Sequence, residues 1–269
     1  MSFTISGLPS RRTTAKAGRH ITMLFEPTVP AGQPALMRLS AFQRERDELP
    51  QTAADILSTR HSRLGESLMQ DLARFQREGR PTELLEVLAA CVRHGRNLLI
   101  HTQLDDEVLA FTVYPNDGQV RCDLPLAQLF ELPLDNLRVL DFEPPLVRPK
   151  GDRRFASARS TLAPLAPLLW ELALRGSRNE LLPEIAGTAA YRISPGGDLS
   201  GLKLSGSLDA AVQKLQRQTT NLHELSSWPG FDRERAMRML NGLYLLAALM
   251  ISRSHPAATN DNWLAAQQA

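Results

Sequence analysis

The amino-acid sequence predicts an α+β protein, in which N-terminal helices lead into an antiparallel β-meander and the C-terminal part is mainly helical. Apolar residues recur at helical spacing between Leu57 and Val92, which predicts two helices. Apolar and polar residues then alternate with period two over 98–122, as in half-buried strands. Helical spacing returns after Leu162 and continues to about Leu246. Separate blocks of strands and helices favour the α+β class over a regular alternation of the two.

The composition is that of an ordinary globular chain of 269 residues, with 43% apolar residues and a formal net charge of +2. It excludes an intrinsically disordered protein, which needs low hydrophobicity and a large net charge. The longest apolar run, Leu243 to Ile251, is less than half of the ~20 residues that a membrane-spanning helix needs. No membrane span is predicted. Because the N-terminus lacks an apolar signal-peptide region, we expect a cytoplasmic protein.

The N-terminal part begins with polar and basic residues, 1–20, which predict a flexible tail. The alternative is a basic arm that contacts an acidic partner. A short apolar run over 21–25 predicts a strand. The second predicted helix has Pro81 in its first turn and an apolar stripe between Leu84 and Val92, and Gly95 is placed to end it. The apolar stripe of the first predicted helix consists of Leu57, Leu64, Leu68, Leu72 and Phe75.

Three short strands with tight turns predict the meander. The turns fall at Asp105-Asp106 and at Pro115–Gly118, where Asn, Asp and Gly tolerate positive φ. After the meander, Asp123 is placed to cap a short helix over 124–131, and 137–142 is predicted as one more strand. The three meander strands cover 98–104, 108–113 and 120–122.

A linker is predicted next, because the segment 143–153 contains three prolines, one glycine and five charged residues. It divides the chain into two predicted domains. The expected organisation is a tail over 1–20, an α+β domain over 21–143, a linker over 144–154, a second domain over 155–255 and a tail over 256–269.

The second domain is predicted to open with a helix whose apolar residues run from Leu162 to Leu172 and which ends at Gly176. The sequence Ser177-Arg178-Asn179-Glu180 has the form of a capping box and predicts a helix start before Leu181. Asp232 is the expected N-cap of the last helix. The other predicted elements are a strand over 189–193, a turn at Pro195–Asp198, an extended piece over 199–204, helices over 208–217, 221–226 and 233–246, and a strand over 249–253.

The three closing helices, a Trp-Pro-Gly-Phe corner and the following apolar strand look like a winged-helix unit. Their sequence, NLHELSSWPGFDRERAMRMLNGLYLLAALMISR, is similar to the C-terminal helical unit found beside PATAN-type domains in bacterial signalling proteins. The resemblance implies that the third helix is a recognition helix with exposed polar residues. Its apolar side chains belong either to the core or to an exposed interface patch. The candidate interaction residues are Trp228, Arg233, Met237, Arg238, Asn241 and Tyr244.

No catalytic, cofactor or metal-binding residue is predicted. The sequence contains no P-loop, GxGxxG or GxSxG motif, and its six histidines lack metal-ligand spacing. Cys91 and Cys122 are expected to be buried free thiols. Arg154 with Arg159 and the segment Asp198-Leu199-Ser200-Gly201 resemble the cyclic-di-GMP-binding motifs of PilZ domains, RxxxR and [DN]xSxxG, but each departs by one residue.

The first functional hypothesis is a non-enzymatic bacterial regulatory or adaptor protein that acts in signalling by docking protein partners. The main alternative is a DNA-binding transcriptional regulator that uses the winged-helix-like unit. A cyclic-dinucleotide-responsive effector and an enzyme with a dispersed active site are remoter alternatives. Only four of the 31 basic residues are lysines, a bias typical of GC-rich bacterial genomes.

Overall fold

The structure is a computed structural model that describes residues 36–47, 65–75, 82–145 and 161–258. All of these residues belong to one compact unit, Pro34–Ala269. Several predicted features lie outside the described residues. They are the tail over 1–20, the strand over 21–25, the start of the first helix at Leu57, the linker after residue 145 and the end of the C-terminal tail.

Helices and antiparallel strands both occur, so the predicted α+β class is confirmed. The described helices are α1 (Leu39–Asp47), α2 (Glu66–Phe75), α3 (Leu84–His94), α4 (Leu126–Leu129), α5 (Leu165–Arg175), α6 (Ser207–Arg217), α7 (Leu222–Ser226) and α8 (Arg233–Leu245). The described strands are β1 (Met37–Arg38), β2 (Leu98–Leu104), β3 (Glu107–Tyr114), β4 (Gln119–Cys122), β5 (Arg138–Glu143), β6 (Thr161–Pro164), β7 (Ala190–Ile193) and β8 (Leu249–Ser252).

The larger sheet contains the predicted meander in the order β5-β2-β3-β4-β6, and β1 also pairs with β3. Consecutive strands β2, β3 and β4 are antiparallel, which confirms the prediction from their alternating pattern. Both tight turns use positive φ, at Asp105 and at Gly118. The predicted strand over 137–142 is also present as β5, where it pairs with β2 on the far side of the meander.

Helix α3 ends at Gly95, as its sequence predicts, but it begins at Leu84, three residues after the expected first-turn residue Pro81. Glu83 and Glu86 form a reciprocal capping box at the N-terminus, so backbone N–H groups are satisfied there. Gly95 ends the helix at φ 58°, a backbone conformation that favours glycine. The prediction for Asp123 is wrong: its carboxylate accepts a hydrogen bond from the Ala110 backbone N–H at 3.3 Å, and Pro125 precedes the short helix α4 instead.

The predicted start of the helix at Leu162 is wrong by three residues. Leu162 lies in β6, which pairs with β4 at the edge of the large sheet, and α5 begins only after Pro164. Buried residues from both sides of the predicted linker form one continuous core. Because most of that linker lies outside the described residues, the predicted domain boundary stays a prediction.

In the C-terminal part, β7 and β8 form a small antiparallel sheet, and α6, α7 and α8 are present where they are predicted. Asp232 is confirmed as the N-cap of α8, since it accepts a hydrogen bond from Arg235 N at 2.7 Å. Helix α8 packs closely on α5, because Gly242 leaves room for the Trp170 ring. The two remaining predictions are wrong: 177–180 starts no helix, and 199–204 forms no strand.

Candidate functional site

Two of the predicted interaction residues are buried. Trp228 is only 6% exposed, and its ring lies under Lys214 Nζ at 4.0 Å from the ring centre. Asn241 is fully buried, so its expected exposure is wrong. The reason is the close packing of α8 on α5, which covers the second half of α8. Met237 and Tyr244 are partly buried against the same core.

Arg238 is held within the protein. Its guanidinium donates to the carbonyl oxygens of Leu174 and Gly176, at 3.0 and 2.7 Å, and pairs with Glu234 at 2.8 Å. Carbonyl groups at a helix C-terminus lack hydrogen-bond donors within the helix, so Arg238 supplies donors to the carbonyl groups at the end of α5. Arg233 is exposed. The six predicted residues therefore do not share one surface. Arg238 and Asn241 are not available to contact a DNA groove, and the DNA-binding alternative stays a prediction.

The two thiols are buried and free, as predicted. Burial raises the pKa of Cys91 to about 12, because the thiolate would lose its hydration. Burial likewise raises the pKa of Cys122 to about 12. Neither side chain is therefore a thiolate near neutral pH, and neither resembles a reactive cysteine.

The PilZ-like segment forms a local turn. Asp198 accepts hydrogen bonds from Ser200 N at 3.0 Å and from Ser200 Oγ at 2.6 Å, and these contacts lower the pKa of its carboxyl. Arg154 and Arg159 lie outside the described residues. The cyclic-dinucleotide alternative therefore stays a prediction.

Neither a metal-binding cluster nor a membrane-spanning helix occurs in the described ranges. No group of three His, Cys, Asp or Glu side chains in those ranges is arranged to hold a metal ion. None of the helices there has the length and apolar character needed to cross a membrane.

The first candidate site is the outer edge of β8, where backbone N–H and C=O groups have no partner in a described strand. Tyr191 exchanges backbone hydrogen bonds with Thr220, at 2.6 and 3.0 Å, so its amide points away from β8. Because hydrogen-bonding direction alternates along an antiparallel strand, the N–H and C=O groups of Leu249 and Ile251 point away from β7. No described strand pairs with β8 on that side.

The side chains beside this edge are apolar or cationic. Met250 is 51% exposed and lies opposite the exposed Arg192. Arg253 follows the strand and donates to the backbone carbonyls of Glu184, Ala186 and Thr188. Arg192 donates to the backbone carbonyl of Gln216 at 3.3 Å. Neither arginine forms an ion pair with a described carboxylate, so no described negative charge offsets either one.

A second site is a cavity of about 480 Å³ beside the N-terminus of α3, lined mainly by polar and charged residues. Its volume lies in the range of about 300–1,000 Å³ that is typical of small-molecule sites. The turn before β5 forms one wall, and the segment after α5 forms another. The lining residues are Thr82, Glu83, Asp135, Leu137, Arg138, Ser177 and Asn179.

The segment over 177–182, which we call the seam segment, connects this cavity to the core. Arg178 is 7% exposed and pairs with the buried Glu86, while its Nε and Nη2 donate to Glu180 O and Leu181 O at 3.0 and 2.9 Å. Burial raises the pKa of Glu86, and the Arg178 charge opposes that shift. On the other side, Asn241 accepts from Leu182 N at 2.9 Å and donates to Glu180 O at 2.8 Å.

The seam segment was predicted from the sequence as the start of a helix, and the structure has no helix there. Arg178 points into the core, and its two neighbours, Ser177 and Asn179, line the cavity. Ser177, Arg178, Asn179 and Glu180 are all polar, so the sequence contains no signal that Arg178 is buried. The remaining cavity residues lie in other parts of the chain and form no motif.

Comparison with protein-family models, with curated proteins and with solved structures finds no match to this chain.

Proposed function

We propose that this chain is a cytoplasmic, non-enzymatic bacterial regulatory or adaptor protein that acts by docking other proteins, and that the outer edge of β8 is its docking site. The open edge itself is the observation that carries the proposal. Leu249 and Ile251 present backbone donors and acceptors there, and no described strand uses them. An extended segment of a partner adds to such an edge as one more strand.

The chemistry beside the edge indicates the partner. Met250 offers an exposed apolar contact, and Arg192 and Arg253 offer positive charge that no described carboxylate neutralises. Strand β8 contains no charged residue, so it lacks the lysines that proteins often place on edge strands to prevent pairing. The expected partner segment is therefore extended, with apolar residues and at least one acidic residue near them.

A matched pair of variants tests the proposal. Leu162, on the edge strand β6 of the other sheet, is 52% exposed, so it matches Met250 at 51%. The tagged full-length protein and its variants are used to capture proteins from a lysate of the source bacterium. We expect wild type and Leu162→Asp to retain the same partner and Met250→Asp to lose it, because a new negative charge opposes an acidic strand.

Peptides covering the captured partner would then be tested for binding by fluorescence anisotropy. The segment that binds should contain acidic and apolar residues, and Arg192→Glu should weaken it about tenfold, as expected for loss of one charge-assisted contact. The proposal is wrong if no protein is captured at low or physiological salt. It is also wrong if Met250→Asp and Leu162→Asp capture the same proteins.

A further inference from the structure

We propose that the cavity lined by Glu83, Asp135, Arg138, Ser177 and Asn179 binds a small zwitterionic solute of amino-acid size. This site is separate from the β8 edge. The inference does not depend on the docking proposal, and the experiments for the two sites share no variant.

Four of the polar side chains that line the cavity are uncommitted, whereas Glu83 takes part in the capping box of α3 and pairs with Arg178. Elsewhere, Arg175, Arg178, Arg238 and Arg253 all donate to carbonyl or carboxylate oxygens. The side chains of Asp135, Arg138, Ser177 and Asn179 have no hydrogen-bond or ion-pair partner among the described residues. Asp135 and Arg138 even lie three positions apart without pairing with each other.

The two signs of charge define the ligand class. Arg138 is the positive group of the lining, and a guanidinium binds a carboxylate through two parallel hydrogen bonds. Ser177 and Asn179 add neutral donors. Asp135 and Glu83 are the negative groups, which suit an ammonium. A single small molecule that carries both a carboxylate and an ammonium complements both signs of charge in the lining.

The pocket also has a rigid frame, which favours recognition over incidental contact. Glu83 is fixed by the capping box of α3 and lies 3.4 Å from Arg178 Nη1. Ser177 and Asn179 flank Arg178, which is held in the core by Glu86 and two backbone carbonyls. Arg138 begins β5 and bridges to the backbone of Glu83. A backbone that is already fixed does not have to be ordered when a ligand binds.

Isothermal titration of the full-length protein with each of the twenty common L-amino acids tests the inference. We expect at least one to bind with a dissociation constant in the millimolar range or below. Its N-acetyl derivative lacks the ammonium, and its amide lacks the carboxylate, so both should bind at least about tenfold more weakly, as expected for loss of a charged contact. Binding of either blocked form with unchanged affinity would overturn the inference, and so would the absence of binding by all twenty.

Variants locate the site. Arg138→Gln and Asp135→Asn should each weaken binding about tenfold or more, whereas Arg121→Gln, at an exposed arginine on β4 of the same sheet, should leave it unchanged. Thermal unfolding of each variant checks that the fold is intact. Wild-type affinity in both cavity variants would place the ligand elsewhere and overturn the assignment.

Discussion

The two sides of the seam segment, 177–182, use the same kinds of side chain in opposite ways. On the closed side, Arg178 and Asn241 are buried, and each makes several hydrogen bonds. On the cavity side, Arg138 and Asn179 are exposed, and no described residue binds their side chains. An arginine and an asparagine thus stabilise the fold on one side and remain available to a ligand on the other.

The difference teaches which polar residues to test for stability and which for binding. A buried polar group is costly to leave without its partner, so its removal destabilises the fold. An exposed polar group without a protein partner contributes little to folding, so its removal affects only what binds there. Residues of the same type on the two sides provide matched controls for each other.

The largest expected effect is for Arg178→Met. The substitution leaves Glu86 buried without its counter-charge, which typically costs about 3–5 kcal/mol. Arg138→Met should change the free energy of unfolding by no more than about 0.5 kcal/mol, because Arg138 is exposed. Urea unfolding of both variants measures the difference. Equal losses would show that the two sides of the seam segment are not distinct.

The two asparagines give a smaller contrast. Asn241→Ala removes the partner of the Leu182 N–H and leaves a small cavity, with an expected loss of about 2–3 kcal/mol. Asn179→Ala should leave the free energy of unfolding within about 0.5 kcal/mol of wild type. The same urea titrations compare them. A neutral Asn241→Ala would mean that the amide is dispensable for packing α8 against the seam segment.

The fold was predictable where local pattern and tertiary packing agree. Strands β2, β3 and β4 follow from period-two alternation and two strong turns, and α8 follows from Asp232 and its apolar stripe. The seam segment was mispredicted because Arg178 is fixed by Glu86, which lies 92 positions away in the sequence. A capping-box pattern describes only neighbouring residues, so it could not reveal that contact.

The candidate sites were less predictable than the elements that carry them. Strand β8 was expected, but the sequence does not show that it lies at the edge of a two-stranded sheet, with β7 as its only described partner. The cavity joins Thr82, Arg138 and Ser177, which come from three distant parts of the chain. Each of these residues is ordinary in its own sequence context, so only the fold shows that they line one space.

Asp71 and Asp135 provide the last contrast, which depends on pH. Asp71 on α2 lies 2.7 Å from His94 Nε2 and also accepts from Arg93. Burial acts to raise the pKa of Asp71, but these hydrogen bonds outweigh it and lower the pKa below the ordinary value of 3.8. The folded protein therefore binds fewer protons at this site than the unfolded chain. The stability that Asp71 contributes is present above pH 3.8 and is lost as pH falls through the lower, folded value.

Asp71→Asn should therefore lower the free energy of unfolding by about 1–2 kcal/mol at neutral pH, and the gap from wild type should narrow below pH 3.8. Asp135→Asn should show no such gap, because Asp135 has no ion pair or hydrogen bond with a described side chain. Urea unfolding of wild type and both variants, from neutral to acidic pH, measures these differences in the free energy of unfolding. A gap for Asp71→Asn that stays constant with pH would show that its charge does not stabilise the fold, and that packing of the side chain accounts for the loss.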